Sequence, residues 1–395
     1  MTKFQRILLY FLLFSTILIF GLIANFKVVS FPLLKAEFSA SWEQQGLLVS
    51  MLQISYVSFC IIAGVFLGRF DIKPPFLSGF VFLSAGLVSM FFVPSFFLAA
   101  AAFLLIQAGF GFFEVGANAL AARVFIKKPA MLLNILHAFY GVGAFIGPMA
   151  AGFITSNAGL NWRFAYFFSL PLSLILFLLA IFVKFPGNKK DMNSADAEKK
   201  KSFFDALKTP AVWFMAITLG LFVTMEHANP NWGSMYFQDI YGLDPRTTSA
   251  AFISAYFIFF TVSRLVCGIL VEKIGYMRSL LGMVLIVFVI YIVIFLLGAR
   301  GIYALPALGF FIGPIWPTLM AVAILYFGKD APVMCSAIIA IGGTLNAGVQ
   351  YLIGLTNKFL GSAWGYRSVL IYALLAVAIL VFLSKKLAIK KEIQK

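Results

Sequence analysis

Lys184 to Pro210 reads KFPGNKKDMNSADAEKKKSFFDALKTP, the one long polar run in a chain of 395 residues. Outward from it, six long apolar segments lie on each side. A transmembrane helix needs about 20 apolar residues to cross roughly 30 Å of hydrocarbon. Twelve segments meet that length, near 5–34, 44–68, 76–95, 97–125, 131–156, 163–184, 211–236, 249–271, 280–299, 302–327, 333–360 and 366–384. The polar run has the composition of a flexible or surface-lying linker. The chain is thus read as an all-α polytopic membrane protein of two six-helix bundles, 1–184 and 211–384. A cytoplasmic linker at 185–210 joins them, and a basic tail at 385–395 follows.

Composition excludes the main alternatives. The chain is 62% hydrophobic, 17% aromatic and 11% charged, whereas soluble domains are nearer 45–50% apolar with about 25% charged residues. A β-barrel would place a polar residue at every second position of strands about 10 residues long, and these runs are too long for that. Lys3 and Arg6 precede the first segment as in a signal peptide. No small-residue cleavage site follows, so it is read as a permanent helix.

The net charge is +16, and its distribution matters more than its size. With the N-terminus inside, 22 of the 30 Lys and Arg fall on the cytoplasmic side and six outside, with Lys27 and Arg264 in spans. That asymmetry predicts a multi-pass plasma-membrane protein, of a bacterial inner or cell membrane, with both termini cytoplasmic. The tail, Lys385 to Lys395, suits anionic lipid rather than nucleic acid. Cys60, Cys267 and Cys335 form no CxxC and read as small buried residues. With only His137 and His227 in the chain, no metal site is expected. No H-E-x-x-H, G-x-S-x-G or G-x-x-x-x-G-K-[ST] occurs, which argues against an enzyme.

The halves look like repeats of one another, a pattern found in many transporters. Gly64-Val-Phe-Leu-Gly68-Arg69 has a counterpart 204 residues on in Gly268-Ile-Leu-Val-Glu272-Lys273. Gly109-Phe110 recurs 200 on as Gly309-Phe310, and Trp162-Arg163 recurs 204 on as Tyr366-Arg367. Each sits at the equivalent place in its half.

After span eight, Gly268-x-x-x-Glu272-Lys273-x-Gly275-x-x-Arg278 is similar to the G-x-x-x-D-R-x-G-R-R signature of the major facilitator superfamily, and the resemblance covers the whole chain. It implies that family's fold, with these five residues as a conformational latch. Gly268 would allow close helix approach, and Glu272 would pair in one conformation only. In the first-half copy Gly68 stands where the acid belongs and Asp71 where the glycine belongs.

Finer elements resemble the fucose–proton symporter subfamily and its sodium–glucose relatives. Phe113-Glu114-Val-Gly-Ala-Asn118-Ala119 is similar to their E-x-A-A-N-P, and Asn134-Ile-Leu-His137-Ala-Phe-Tyr140-Gly141-Val-Gly143-Ala to their N-x-x-Q/H-x-x-x-G-x-G-A. Glu226 followed by Trp232, and Gly313-Pro314-Ile-Trp316-Pro317-Thr318, also fit. The span-one coupling carboxylate of that subfamily is absent, with Lys27 and Val28 at the matching positions before Pro32.

An ionisable side chain at a span centre costs roughly 2.5–3.5 kcal/mol on insertion scales, so it needs a partner or a watery cavity. Glu114, Glu226 and His137 are therefore the expected proton-coupling residues. Polar stripes mark the expected solute contacts: Lys27, Gln53, Tyr56, Asn118, Asn134 and Tyr140 in the first half, and Asn229, Trp232, Trp316, Asn346 and Gln350 in the second. The Asn229-Pro230-Asn231 break would free backbone carbonyls. Amide, carboxylate and aromatic groups together suit a polyhydroxylated ring. The expected function is secondary active transport by alternating access, importing a monosaccharide or similar solute with H⁺, or else Na⁺, as coupling ion. A proton-coupled exporter of a drug-like or lipid amphiphile is the rival. No cofactor is expected, and no partner beyond solute and bilayer for what reads as a monomer.

Overall fold

With no water in the hydrocarbon to satisfy backbone groups, each apolar segment must close its own hydrogen bonds as a helix. The computed structural model describes residues 3–125, 129–186 and 203–387. Among them are twelve helices long and apolar enough to span a bilayer. In chain order these are α1 (Phe4–Glu37), α2 (Trp42–Leu67), α3 (Lys73–Phe91), α4 (Phe96–Val124), α5 (Ile135–Ser156), α6 (Arg163–Phe182), α7 (Pro210–Tyr241), α8 (Pro245–Ile274), α9 (Tyr276–Leu296), α10 (Gly298–Asp330), α11 (Val333–Leu360) and α12 (Ser362–Lys385). Large apolar side chains lie open on their outer faces, among them Phe182 and Leu296, as lipid-facing positions require. Residues 187–202 of the expected linker and 388–395 of the expected tail lie outside the described residues. The linker's described end forms a short helix, Phe203–Leu207, whose last carbonyl accepts from Trp213 Nε1 at 2.7 Å.

Several spans are interrupted, α12 at Ser368 among them, and a proline accounts directly for the interruptions in α7 and α10. A proline lacks the N–H that would reach the carbonyl four residues back. In α7, Pro230 leaves Glu226 O without its helical donor, and the chain widens into a π turn over Asn229–Gly233. The Tyr256 hydroxyl lies 3.4 Å from that carbonyl, and Tyr291 donates to Met225 O at 2.9 Å. In α10, Pro317 leaves Gly313 O without a donor, and Arg264 Nε supplies one at 2.9 Å. Another interruption, in α1, falls at Phe26 between helical pieces Lys3–Asn25 and Lys27–Glu37.

The chain clusters into two compact units. One comprises Met1–Ser41, Met51–Met192 and Asp244–Ser254; the other comprises Trp42–Ser50, Asn193–Leu243 and Ala255–Lys395. In the first, α1 and α5 meet backbone to backbone. A methyl at Gly143 would lie 2.7 Å from Leu22 N, and one at Gly147 would lie 2.5 Å from Leu22 O, so small residues permit the approach. Gly64, by contrast, has nothing within 4 Å of its would-be Cβ. At one end of this unit Arg163 binds Glu37 at 2.8 Å and Val93 O at 3.0 Å. In the second unit, Asn357 Oδ1 accepts from Gly365 N at 2.9 Å, closing the turn at Gly361, whose φ of +95° favours glycine.

Candidate functional site

The polar residues expected from the sequence form two clusters, one in each unit. In the first unit Glu114 lies half-buried on α4. Asn118, one turn on, donates to its Oε1 at 3.0 Å and to its backbone carbonyl at 2.7 Å. From α2 the Tyr56 hydroxyl lies close to the Glu114 carboxylate, with the Cys60 thiol and Tyr140 of α5 beside it. Phe20 packs edge-on to Tyr140 with centroids 5.2 Å apart and forms the apolar floor. Glu114, Tyr56, Asn118 and Tyr140 are thus brought together. Lys27 is half-buried at the first residue after the α1 interruption. Gln53 and His137 are half-buried, with no hydrogen bond to this cluster among the described residues. Asn134 stands on the same helical run as His137, and its side chain lies outside the described residues.

The second cluster is built around the π turn of α7. Trp232 Nε1 donates to Gln350 Oε1 at 2.7 Å, and Gln350 Nε2 donates to Asn346 Oδ1 at 3.2 Å. Asn346 Oδ1 also accepts from Thr224 at 3.1 Å, and its amide nitrogen lies 3.5 Å from His227 Nδ1. Asn231 joins through Gln350 Oε1 at 3.4 Å. Trp232, Asn231, Asn346 and Gln350 are all buried. Two further buried atoms in the turn, Asn231 Oδ1 and Ser234 Oγ, have no hydrogen-bond partner among the described residues. Such atoms are uncommon in folded proteins.

Asn229 behaves differently from its neighbours. It donates to Met225 O at 3.0 Å and to the Tyr291 hydroxyl at 3.2 Å, and its Oδ1 accepts from the Tyr366 hydroxyl at 2.6 Å. Both its amide donors are therefore used to hold the turn closed. Glu226 is half-buried and near enough to act electrostatically on Tyr256. Trp316 on α10 is 36% exposed and makes no ring contact with the network among the described residues. Arg264 hydrogen-bonds Gly313 O and stacks 4.2 Å from the Phe260 ring, which accounts for its presence in a span.

The latch residues divide in the same way. Gly275 has φ +96°, a conformation that L side chains rarely adopt, and it makes the turn between α8 and α9. The close approach expected at Gly268 is absent, since nothing lies within 4 Å of its would-be Cβ. Glu272, Lys273 and Arg278 are exposed and form no ion pair among the described residues. In the first half Asp71 pairs with Arg123 at 3.1 Å, and Arg123 also reaches Pro186 O at 3.1 Å. The acid there is displaced three residues along from Gly68 rather than lost. Sequence reasoning missed Cys60, Thr224, His227 and Asn231 as cluster members. A signal was present: Thr224, His227 and Asn231 repeat at helical spacing on one stripe of α7, and Cys60 lies one turn from Tyr56.

Twelve apolar helices carrying buried polar clusters define a multi-pass membrane protein. The chain belongs to the Major Facilitator Superfamily, whose model matches residues 12–349. It is similar to Bypass of stop codon protein 6 of Saccharomyces cerevisiae, at 22% identity over 72% of this chain and 65% of the relative. It is also similar to the uncharacterized protein Cj0987c of Campylobacter jejuni, at 26% over 54% of this chain and 65% of that protein. The matches thus span just under two thirds of these curated relatives' own length. Among solved structures, a bacterial homologue of the human lysosomal transporter Spinster superposes with TM-score 0.74 at 15% identity, covering 98% of each chain. The E. coli fucose:proton symporter FucP superposes with TM-score 0.65 at 19% identity, over 96% of this chain and 98% of that one. The nucleoside transporter NupG gives 0.74 at 12%, also over 96% and 98%. At these identities the likeness is one of fold.

Proposed function

We propose that this protein is a secondary active transporter importing a monosaccharide-sized polyol in symport with H⁺. The observation that carries this reading is Glu114, a half-buried carboxylate in a span, held by the Asn118 amide with the Tyr56 hydroxyl close by. A carboxylate held by neutral donors gains or loses a proton with little rearrangement, and protonation removes the charge that opposes occlusion. A tyrosine hydroxyl donates to a charged carboxylate and accepts from a neutral one, so the cluster serves both states. The Trp232–Gln350–Asn346 network supplies an aromatic face and amide groups, with Asn231 Oδ1 and Ser234 Oγ left for solute hydroxyls. Symport follows if proton and solute favour the same occluded state, since a ligand shifts a conformational equilibrium only by its differential affinity.

The test is reconstitution in liposomes with a pH-sensitive dye inside, and addition of neutral sugars, anionic sugars or lipophilic cations. Lumenal acidification with one sugar class is the expected result, and Glu114→Gln abolishes uphill accumulation while leaving sugar exchange. No response to sugars, with alkalinisation when a lipophilic cation enters, overturns the reading in favour of export by antiport. Solute entry driven by a Na⁺ gradient without dye response replaces H⁺ by Na⁺.

A further inference from the structure

The two halves end their outer turns differently, and the difference exposes a charge. In the first unit Arg163 forms an ion pair with Glu37 at 2.8 Å. Advancing both residues by the 204-residue repeat offset gives Arg367 and Tyr241. The arginine is kept, and the acid is replaced by a phenol. Arg367 Nε donates to the Tyr236 hydroxyl at 3.3 Å, and that hydroxyl lies 3.3 Å from the Tyr241 hydroxyl. Its guanidinium lies 5.8 Å from the Tyr236 ring and 5.7 Å from the Trp364 ring. Neutral groups therefore orient Arg367, and no carboxylate pairs with it among the described residues.

Arg367 stands in a cleft of about 460 Å³ formed by the last turns of α9 and α11 and the first turns of α12. The rest of the lining is almost wholly apolar. Leu296, Leu360 and Ile371 in it are 80%, 65% and 59% exposed, so the cleft opens to the perimeter of the bundle, where acyl chains lie. Trp364, 54% exposed beside the arginine, is the residue type that settles at headgroup depth. An oriented guanidinium fork above an apolar slot matches a phosphate joined to an acyl chain. We propose that this cleft binds an anionic phospholipid, with one acyl chain in the slot and the headgroup phosphate on Arg367. The Lys and Arg distribution assigns that lipid to the leaflet away from the cytoplasm.

Native mass spectrometry of the delipidated full-length protein, titrated with phosphatidylglycerol, phosphatidylcholine or inorganic phosphate, tests this. Both lipids carry the phosphate, but the choline cation compensates it in phosphatidylcholine and lies near Arg367 as a like charge, so wild type is expected to retain phosphatidylglycerol about tenfold more tightly. Arg367→Gln removes that preference. Arg300→Gln, which removes an exposed charge next to α9, leaves it intact. Ile371→Trp fills the slot without touching the charge and weakens both lipids, and it decides the matter should Arg367→Gln not fold. The proposal is overturned by an unchanged preference in Arg367→Gln, by equal losses in Arg367→Gln and Arg300→Gln, or by unchanged lipid retention in Ile371→Trp. Inorganic phosphate displacing phosphatidylglycerol at equal concentration also overturns it, since the site would then take a free anion.

Discussion

Replacing Arg264 by Met tests whether that arginine is in its span because Pro317 deprived Gly313 O of a donor. Two losses follow the substitution: the 2.9 Å bond to Gly313 O and the stacking 4.2 Å from the Phe260 ring. A bond from a charged donor contributes about 1.5–3 kcal/mol, and an arginine–aromatic contact about 0.5–2 kcal/mol. Removing the cation offsets this, because a charged side chain in a span costs roughly 2.5–3.5 kcal/mol. The single substitution is therefore expected to sit near zero, within about 1–2 kcal/mol, and by itself tests little. The informative experiment is the cycle with Pro317→Ala, which returns a backbone N–H to the position that would reach Gly313 O. In that background the carbonyl is no longer orphaned, so Arg264→Met should be milder by about 1–2 kcal/mol. Reversible unfolding of the purified protein in mixed micelles measures all four corners. Additivity within about 0.5 kcal/mol would refute the reasoning, since uncoupled sites add to that tolerance.

Three other expectations follow from particular residues. Gly275→Ala forces a side chain onto φ +96° and should destabilise the fold by about 1–3 kcal/mol; a cost below about 0.5 kcal/mol in the same micelle assay would show that the α8–α9 turn relaxes freely. Gln350→Leu removes the acceptor of Trp232 Nε1 and the donor to Asn346, so solute affinity should fall tenfold or more with the coupled proton flux per solute unchanged; an unaltered half-saturation concentration in proteoliposomes would take Gln350 out of the solute site. The Arg246 side chain, hydrogen-bonding and pairing with Asp244 at 2.9 Å, holds the Asp244 carboxyl below its ordinary value. Its stabilisation is present above the usual carboxyl range and lost as pH falls through the lowered folded value, below about pH 4. Both side chains are partly exposed, so the effect should stay below about 1 kcal/mol; acid unfolding curves of wild type and Asp244→Asn that coincide above pH 5 and differ only below about pH 4 would contradict this sign.

How much was legible in the sequence varied with the range of the physics involved. The twelve spans were readable because the bilayer imposes a local rule: each segment must be long, apolar and self-satisfied in its hydrogen bonds. Pro230 marked the α7 interruption for an equally local reason. The stripe Glu226, Asn229 and Trp232 was read from straight-helix spacing, and the π turn beginning at Asn229 alters that register. Asn229 consequently meets Tyr291 and Tyr366 inside the bundle, while Trp232 meets Gln350. The latch motif was read from residue types in order. Only the fold shows Gly275 needed for its dihedral, Gly268 facing open space, and Asp71 paired with Arg123.

By itself, then, the sequence determined a twelve-helix membrane protein, the break in α7 at Pro230, and the short set of polar side chains a membrane would not tolerate without purpose. Which of those side chains meet was decided by tertiary structure. Helix seams such as Gly143 on Leu22 set the rotation of each span, and rotation determines whether an amide faces a solute or a neighbouring carbonyl. Arg264 and Arg367 make the point together. Both are lone basic residues in apolar sequence, yet one is satisfied by a carbonyl that a proline left bare, and the other is held by Tyr236 and Trp364 with no carboxylate paired to it among the described residues. Nothing within a few residues of either distinguishes them, because the groups that do so are brought near only when the helices pack.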